Sequence, residues 1–140
     1  MSTPPRIAPS TIDLETAARA AAKHAYAPYS EFRVGAAVLT PSGRIYSGCN
    51  VENASYGLTC CAERNAIFAA VAAGETVVHA VAIYTPTSAP TPPCGACRQV
   101  IAEFGPTARV ISICDGAERI ETTVPKMLPG SFAPKNLRGR

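Results

Sequence analysis

The chain has 140 residues, of which 47% are hydrophobic and 16% are charged, a composition that excludes an intrinsically disordered protein. The formal net charge of +3 is low, and basic residues cluster only in the run "PKNLRGR", so the sequence lacks the basic stripe of a nucleic-acid-binding protein. No apolar run is long enough to span a bilayer, and "MSTPPRIAPS" is unlike a signal peptide, so we expect a cytoplasmic protein with no membrane partner.

The length suits one domain with one core. We expect residues 1–10 to form a flexible N-terminal arm and residues 11–140 to form that single domain. The chain contains six cysteines. In a cytoplasmic protein, cysteines indicate metal binding or thiol chemistry more often than disulfides.

The first predicted element is an alanine-rich helix in "TIDLETAARAAAKHAY". Ser10 or Thr11 can cap its N-terminus, and the helix is expected to end before Pro28. Its buried face is expected to include Ile12, Ala18 and Ala22. The strands "FRVGAAVLT" and "RIYSGCNV" then flank the turn "PSG", which predicts an antiparallel hairpin. The small residues of the first strand suit close packing by a helix.

The second half of the chain alternates helices and strands. "CAERNAIFAAVAAG" and "CGACRQVIAEFG" are predicted helices, each closed by glycine, and the apolar run "VVHAVAIYT" between them is typical of a buried central strand. "RVISIC" predicts another strand, "ERIETTV" an edge strand, and the tail at most a short helical turn. The order α–β–β–α–β–α–β–β predicts an α/β fold, a mixed sheet with parallel strands in its middle and helices packed against it.

Three cysteines are placed at predicted helix starts. Cys94 and Cys97 lie three residues apart after two prolines, and Cys61 begins the preceding helix. At a helix N-terminus, the unpaired N–H groups and the helix dipole favour a thiolate over a thiol. Two helix starts can converge at one edge of a sheet, and three ligands with an open fourth position are typical of catalytic zinc.

Glu63 lies two residues after Cys61, a spacing that does not bring side chains together within a regular helix. The two can address one site only if Cys61 occupies the non-helical cap position and Glu63 reaches back from the first turn. A carboxylate beside an activated water would act as a proton shuttle. Arg64 and Arg98 each follow a cysteine motif and could offset the net charge of −1 of zinc with three thiolates, although ordinary surface arginines are an equal alternative.

The motif "CAER" followed by "PCGACRQ" resembles the zinc-dependent cytidine deaminases, in particular the small homotetrameric type that acts on free nucleosides. The resemblance extends from "YAPYSEFRVGAAV" through "GCNVENASYGLTCCAERNA" to "LPGSF". It implies a three-layer α/β/α fold with a mixed five-stranded sheet, one Zn²⁺ per subunit, and active sites at the interfaces of a homotetramer. It also implies hydrolytic deamination of cytidine and deoxycytidine in pyrimidine salvage.

The resemblance also implies a role for individual residues. Cys61, Cys94 and Cys97 match the zinc ligands, and Glu63 matches the proton shuttle that serves the attacking water and the ring. The residues that match substrate contacts are Asn50 and Glu52 for the ribose hydroxyls, Phe32, Tyr56 and Ala62 for the nucleoside pocket, and Phe132 as a ring from a neighbouring subunit. The loop "TPTSAPTPP" departs from the usual shorter approach ending in Ser-Pro, which leaves its conformation open.

Three alternatives remain at this point. If Cys60 joined the other three cysteines, the site would be a closed structural zinc in a binding module. The "PCGAC" motif alone would also suit a thioredoxin-like oxidoreductase. A blasticidin-type aminonucleoside deaminase shares the zinc motifs. We interpret Cys49, Cys60 and Cys114 as small buried hydrophobic residues.

Overall fold

The computed structural model describes residues 10–138. Its helices are α1 (Thr11–Ala22), α2 (Ala62–Ala72), α3 (Gly95–Phe104), α4 (Val124–Met127) and α5 (Pro134–Arg138), with a 3₁₀ turn at Tyr56–Leu58. Its strands are β1 (Gly35–Leu39), β2 (Ile45–Cys49), β3 (Ala80–Tyr84), β4 (Arg109–Ile113) and β5 (Ile120–Thr123). The predicted N-terminal arm, apart from Ser10, lies outside the described residues. Within residues 10–138, no helix is both long enough and apolar enough to cross a membrane.

The five strands form one mixed sheet in the order β2-β1-β3-β4-β5. The β1–β2, β1–β3 and β4–β5 pairs are antiparallel, whereas β3 and β4, which α3 connects, are parallel. The predicted hairpin, the buried central strand β3 and the edge strand β5 are therefore confirmed. The tail contains two short helices, α4 and α5, rather than a single turn.

Helices cover both faces of the sheet, which gives the three-layer α/β/α arrangement. Along β1, Ala36 and Val38 pack on the side of α2 and α3, while Ala37 faces α1 and contacts the cluster around Leu14 and Ala18. Strand β3 alternates in the same way, as the two-residue period of a strand requires. The larger core lies between the sheet and the α2–α3 layer, and the smaller one lies under α1.

Two glycines allow helices to approach the sheet at backbone distance. A Cβ atom on Gly35 would lie 1.9 Å from the carbonyl oxygen of Ala18 in α1. A Cβ atom on Gly48 would lie 2.4 Å from the backbone nitrogen of Ala66 in α2. Gly35 thus sets the position of α1, and Gly48 sets that of α2, whose N-cap residue is Cys61 and whose first turn carries Glu63.

The predicted buried face of α1 is partly wrong. Ile12 is 71% exposed, whereas Leu14, which the pattern left out, is only 2% exposed. Because successive helical residues are about 100° apart, Ile12 points about 200° around the helix from Leu14. Ser10 caps α1 in a capping box with Asp13, which fixes the helix start where the sequence placed it.

Candidate metal centre and active site

The candidate metal ligands lie at the N-termini of α2 and α3. Cys61 is the N-cap residue of α2, with extended backbone angles of φ −70° and ψ 155°, and Cys94 is the N-cap of α3, with φ −67° and ψ 169°. Cys97 lies in the first turn of α3 and is buried. Neither cap side chain accepts a capping hydrogen bond from the backbone of its own helix, so both sulfurs can bind a metal.

The sulfur geometry fits a tetrahedral zinc ion. The Sγ atoms of Cys61 and Cys94 are 4.0 Å apart, and the three sulfurs, with that of Cys97, all lie within 4.8 Å of one another. Zinc–sulfur bonds of about 2.3 Å at the tetrahedral angle require sulfurs about 3.8 Å apart. Among residues 10–138, no fourth cysteine, histidine or carboxylate joins this cluster. The donor set therefore leaves one position open for a small molecule.

Charges around Cys61 favour its thiolate. Hydrogen bonding from the Cys97 thiol lowers the pKa of Cys61 to about 5, and the Arg64 guanidinium, 3.4 Å from the Cys61 sulfur, adds to this effect against the opposing effect of burial. The same hydrogen bond, with burial, raises the pKa of Cys97. The interaction with the Cys61 thiolate in turn raises the pKa of Arg64. A metal ion bound by the three sulfurs would displace the protons that these thiols carry in its absence.

Glu63 projects from the first turn of α2 and is 5% exposed. Burial is the main cause that raises its pKa, and the nearby Cys61 thiolate raises it further. A carboxylate with a raised pKa is a stronger base than a solvated one. Its position is suited to taking up a proton and releasing it to a group held in the adjacent cavity.

A cavity of about 210 Å³ opens beside these groups. The metal cluster and the carboxylate contribute Cys61, Cys94 and Glu63 to its wall. The other residues that line it are Phe32, Val34, Asn50, Thr59, Ala62, Ile83, Thr85, Thr91 and Pro92. The wall is mainly apolar with a few polar groups, as in small-molecule sites.

Three of the predicted substrate-binding residues, Phe32, Asn50 and Ala62, line this cavity. Glu52 and Tyr56 instead line a neighbouring pocket, which adjoins the first through the shared residue Thr59. Phe132 is 60% exposed and lies on a different surface, beside α3 and α5. Within one chain, the residues predicted to contact substrate thus fall into three groups.

The two arginines predicted to compensate charge lie in different environments. Arg64 contacts the Cys61 sulfur directly. Arg98 donates from Nε to the carbonyl oxygen of Pro93 (2.9 Å) and from Nη1 to that of Met127 (3.0 Å). Arg98 therefore links the segment just before Cys94 to the C-terminal end of α4.

The remaining cysteines lie outside the metal cluster. Cys114 is buried, as predicted, and its thiol lies near three backbone carbonyl oxygens. Cys49 and Cys60 are only partly buried. Because the Cys60 sulfur is absent from the cluster within the described residues, the closed four-cysteine site is wrong.

Sequence reasoning missed several residues of the cavity wall, notably Thr85 and Thr91. Thr85 is buried at the end of β3, where its hydroxyl lies 2.8 Å from that of Thr87 and 3.5 Å from that of Thr91. The only available signal was the position of these threonines between a buried strand and the cysteine pair. The proline-rich loop between them had no predictable conformation.

Comparison with known proteins agrees with this geometry. Residues 10–114 match the family model for the cytidine and deoxycytidylate deaminase zinc-binding region. The chain is 49% identical to a cytidine deaminase of Sporosarcina psychrophila over 118 residues, covering 84% of this chain and 87% of that protein. It is 41% identical to a probable cytidine deaminase of Dictyostelium discoideum over 122 residues, covering 86% and 82% of the two chains.

Among solved structures, the fold is similar to that of a cytidine deaminase from Burkholderia pseudomallei. The TM-score is 0.85 and the identity 48%, over 88% of this chain and 99% of the other. The thioredoxin-like alternative is therefore wrong, and the cysteine cluster is a zinc site. This chain belongs to the zinc-dependent cytidine and deoxycytidylate deaminase family.

Proposed function

We propose that the protein hydrolyses cytidine and deoxycytidine to uridine and deoxyuridine with release of ammonia. The observation that carries this proposal is that Glu63 lines one cavity together with Cys61 and Cys94, two members of the three-cysteine cluster. The cavity of about 210 Å³ is the size of a small-molecule site, and none of the described residues that line it is basic. Free nucleosides therefore outrank a polynucleotide, which would need a charged groove for its backbone.

The proposed roles of the site residues follow from this geometry. Cys61, Cys94 and Cys97 hold one zinc ion. When bound, zinc supplies Lewis-acid activation, which lowers the pKa of water from 15.7 to about 7. Glu63 takes a proton from the attacking water and delivers it to N3 of the pyrimidine. Glu63 then takes the second proton, from the new hydroxyl on C4, and delivers it to the 4-amino group, which leaves as ammonia while C4 keeps the oxygen as a carbonyl.

Asn50 is the best-placed polar residue for recognising the sugar. Its Oδ1 atom accepts from the Val34 amide (2.9 Å) and its Nδ2 atom donates to the Phe32 carbonyl oxygen (2.7 Å). A primary amide has two donors and two acceptor lone pairs, so one of each is left for a ligand. In our proposal Asn50 and Glu52 bind sugar hydroxyls, while Phe32, Tyr56 and the Ala62 backbone border the nucleoside.

One surface of the protein carries several exposed apolar residues, which are Phe68, Val71, Phe132 and Leu137. Three of them, all but Val71, line one open pocket of about 520 Å³. Exposed apolar surface of this kind marks association sites. We assign this surface to a homotetramer in which Phe132 of one subunit completes the site of another. Light scattering of the purified protein tests the tetramer, and a monomer with full activity would contradict it.

The remaining proposals concern the domain organisation, cellular location and metabolic role of the enzyme. Residues 11–140 form one domain in this proposal, because both cores share the same sheet. The absence of disulfides among the described cysteines suits the reducing cytoplasm. A pyrimidine salvage role follows from a free nucleoside substrate.

The decisive experiment measures ammonia release from four substrates: cytidine, deoxycytidine, blasticidin and a cytosine-containing oligonucleotide. We expect activity with the first two and about one zinc per chain. Glu63→Gln serves as the inactive control, since it preserves the three sulfurs. Activity confined to blasticidin or to the oligonucleotide would overturn the proposed substrate.

A further inference from the structure

The loop between α1 and β1 is anchored to the segment after β2 by one carboxylate. The Oε1 atom of Glu52 accepts from the backbone amides of Tyr29 (3.0 Å) and Ser30 (3.1 Å). Its Oε2 atom accepts from the Ser30 hydroxyl. Three hydrogen bonds on one carboxylate fix both its rotamer and the turn that surrounds it.

The Ser30 hydroxyl has an unambiguous hydrogen-bond direction. It donates to Glu52, because an ionised carboxylate can only accept, and it accepts from the Phe32 amide at 3.1 Å. Glu31 lies between Ser30 and Phe32 in the chain, and its φ of 58° falls in the left-handed region that non-glycine residues rarely adopt. A strained turn persists only when its surroundings hold it in place, and here the Ser30 hydroxyl bridges Glu31 by accepting from the Phe32 amide and also ties the turn to Glu52.

This arrangement limits what Glu52 can still bind. A carboxylate offers about four lone-pair positions, and three are already used. The remaining position is on Oε2, the oxygen that Ser30 orients. Glu52 can therefore accept one hydroxyl group of a ligand, in a direction that Ser30 sets.

We propose that Ser30 is a positioning residue for nucleoside recognition, since its hydroxyl sets the free lone pair of Glu52 and the placement of Phe32 at the cavity. This inference rests on the proposed function, in which Glu52 meets a sugar hydroxyl and Phe32 borders the nucleoside. Ser30 acts through these two residues, with no contact to the reacting atoms. Its effect falls on substrate binding rather than on the chemical step.

The ionisation of Glu52 gives an independent readout. The Ser30 hydroxyl bond is the main cause that lowers the pKa of Glu52, burial opposes it, and the two backbone amides lower it further. Among the described residues, the titratable side chains that line its pocket are the phenols of Tyr29 and Tyr56, and the carboxylate of Glu31 follows Ser30 in the turn. Losing the hydroxyl raises the pKa of Glu52, so its carboxylate is protonated at a higher pH. The acid limb of the 1/KM profile then moves to higher pH.

The test compares Ser30→Ala with Ser30→Thr and the control Ser47→Ala, on the holoenzyme. Ser47 is exposed on β2 and has no side-chain hydrogen bond within the described residues. Because a hydrogen bond to a charged group is involved, we expect Ser30→Ala to raise the KM for cytidine about tenfold or more, with kcat changed less than about twofold. Ser30→Thr keeps the hydroxyl and should restore the KM and the acid limb.

A cytidine analogue without the 2′- and 3′-hydroxyls distinguishes positioning from general damage. Its KM should change much less in Ser30→Ala, because it cannot use the free lone pair of Glu52. An unchanged KM for cytidine, an equal loss for both substrates, or failure of threonine to restore the profile would overturn the proposal. If Ser30→Ala does not fold, Glu52→Gln is measured instead. Its KM must rise for cytidine much more than for the analogue, and its 1/KM profile must lack the acid limb. A wild-type enzyme inactive on cytidine would instead refute the proposed function.

Discussion

Gly48 packs against the N-terminal part of α2, the helix that carries Glu63 and begins at Cys61. We therefore predict that adding a single methyl group here, in Gly48→Ala, impairs the metal site. A Cβ atom on residue 48 would lie 2.4 Å from the Ala66 nitrogen, 2.8 Å from the Asn65 carbonyl carbon and 2.9 Å from the Ala62 carbonyl oxygen. All three atoms are backbone, so no side chain can rotate away. In addition, the side-chain Nδ2 atom of Asn65 donates to the Cys49 carbonyl oxygen at 2.8 Å, which ties α2 to this strand.

Relief of the Gly48→Ala clash requires a displacement of about 1 Å between α2 and β2 before ordinary contact is restored. Metal–ligand distances tolerate only about 0.2 Å, and a 1 Å misplacement of catalytic groups can cost about 10²-fold in rate. Overpacking of this kind also destabilises by about 1–3 kcal/mol. We therefore expect a folded Gly48→Ala variant with weaker zinc retention and a kcat reduced about 10²-fold.

The assay measures zinc content after dialysis, kcat for cytidine and the free energy of unfolding. Gly57→Ala is the matched control, because a Cβ atom there would meet no atom within 4 Å and the residue has no positive φ. It should behave as the wild type. A Gly48→Ala variant with normal zinc, kcat and stability would show that the helix start is not set by this contact.

Three further variants test separate parts of the site and the core. Glu63→Gln should keep its zinc, measured by metal analysis, and lose about 10²–10⁴-fold in kcat, the typical contribution of a placed proton donor and acceptor; near-normal turnover would remove Glu63 from the mechanism. Arg64→Ala should raise the pKa of the Cys61 thiol, so in an acid titration protons should displace zinc at a higher pH than in the wild type. An unchanged zinc-release curve would show that Arg64 does not stabilise the Cys61 thiolate. Leu14→Ala should cost about 2–5 kcal/mol in denaturant unfolding with kcat/KM unchanged, because Leu14 is buried under the sheet face opposite the site.

The sequence predicted the ligand-bearing helices because their signals are local. Each of these signals acts within about one turn of backbone: the two prolines before Cys94, the glycine that follows the C-terminus of each helix, and the two-residue spacing of Cys61 and Glu63. The spacing argument required Cys61 at a cap position, and its extended backbone angles confirm that inference. The mixed sheet followed from element order and from the strong preference for short crossovers.

Other parts of the site depend on contacts distant in sequence. The anchoring of Glu52 by the turn at Tyr29 and Ser30 joins residues 22 and 23 positions apart, and no local pattern indicates it. Thr91 lines the cavity because the proline-rich loop brings its hydroxyl back to that of Thr85, next to the end of β3. The face of α1 was misjudged for a different reason, since alanine-rich helices give a weak periodic signal and small residues can pack on either side.

The adjacent pair Cys60 and Cys61 shows how backbone geometry separates two identical side chains. The amide of Cys60 donates to the Val51 carbonyl oxygen at 2.9 Å, and its carbonyl accepts from the Val51 amide at 3.0 Å, so this residue is held in an antiparallel bridge. Successive side chains of extended backbone point to opposite sides. Cys61, also extended, therefore directs its sulfur to the cavity side while Cys60 points away, where burial raises the pKa of its thiol. The transition from bridge to helix at residue 61 thus determines which cysteine meets the metal, and it places Glu63 on the same wall.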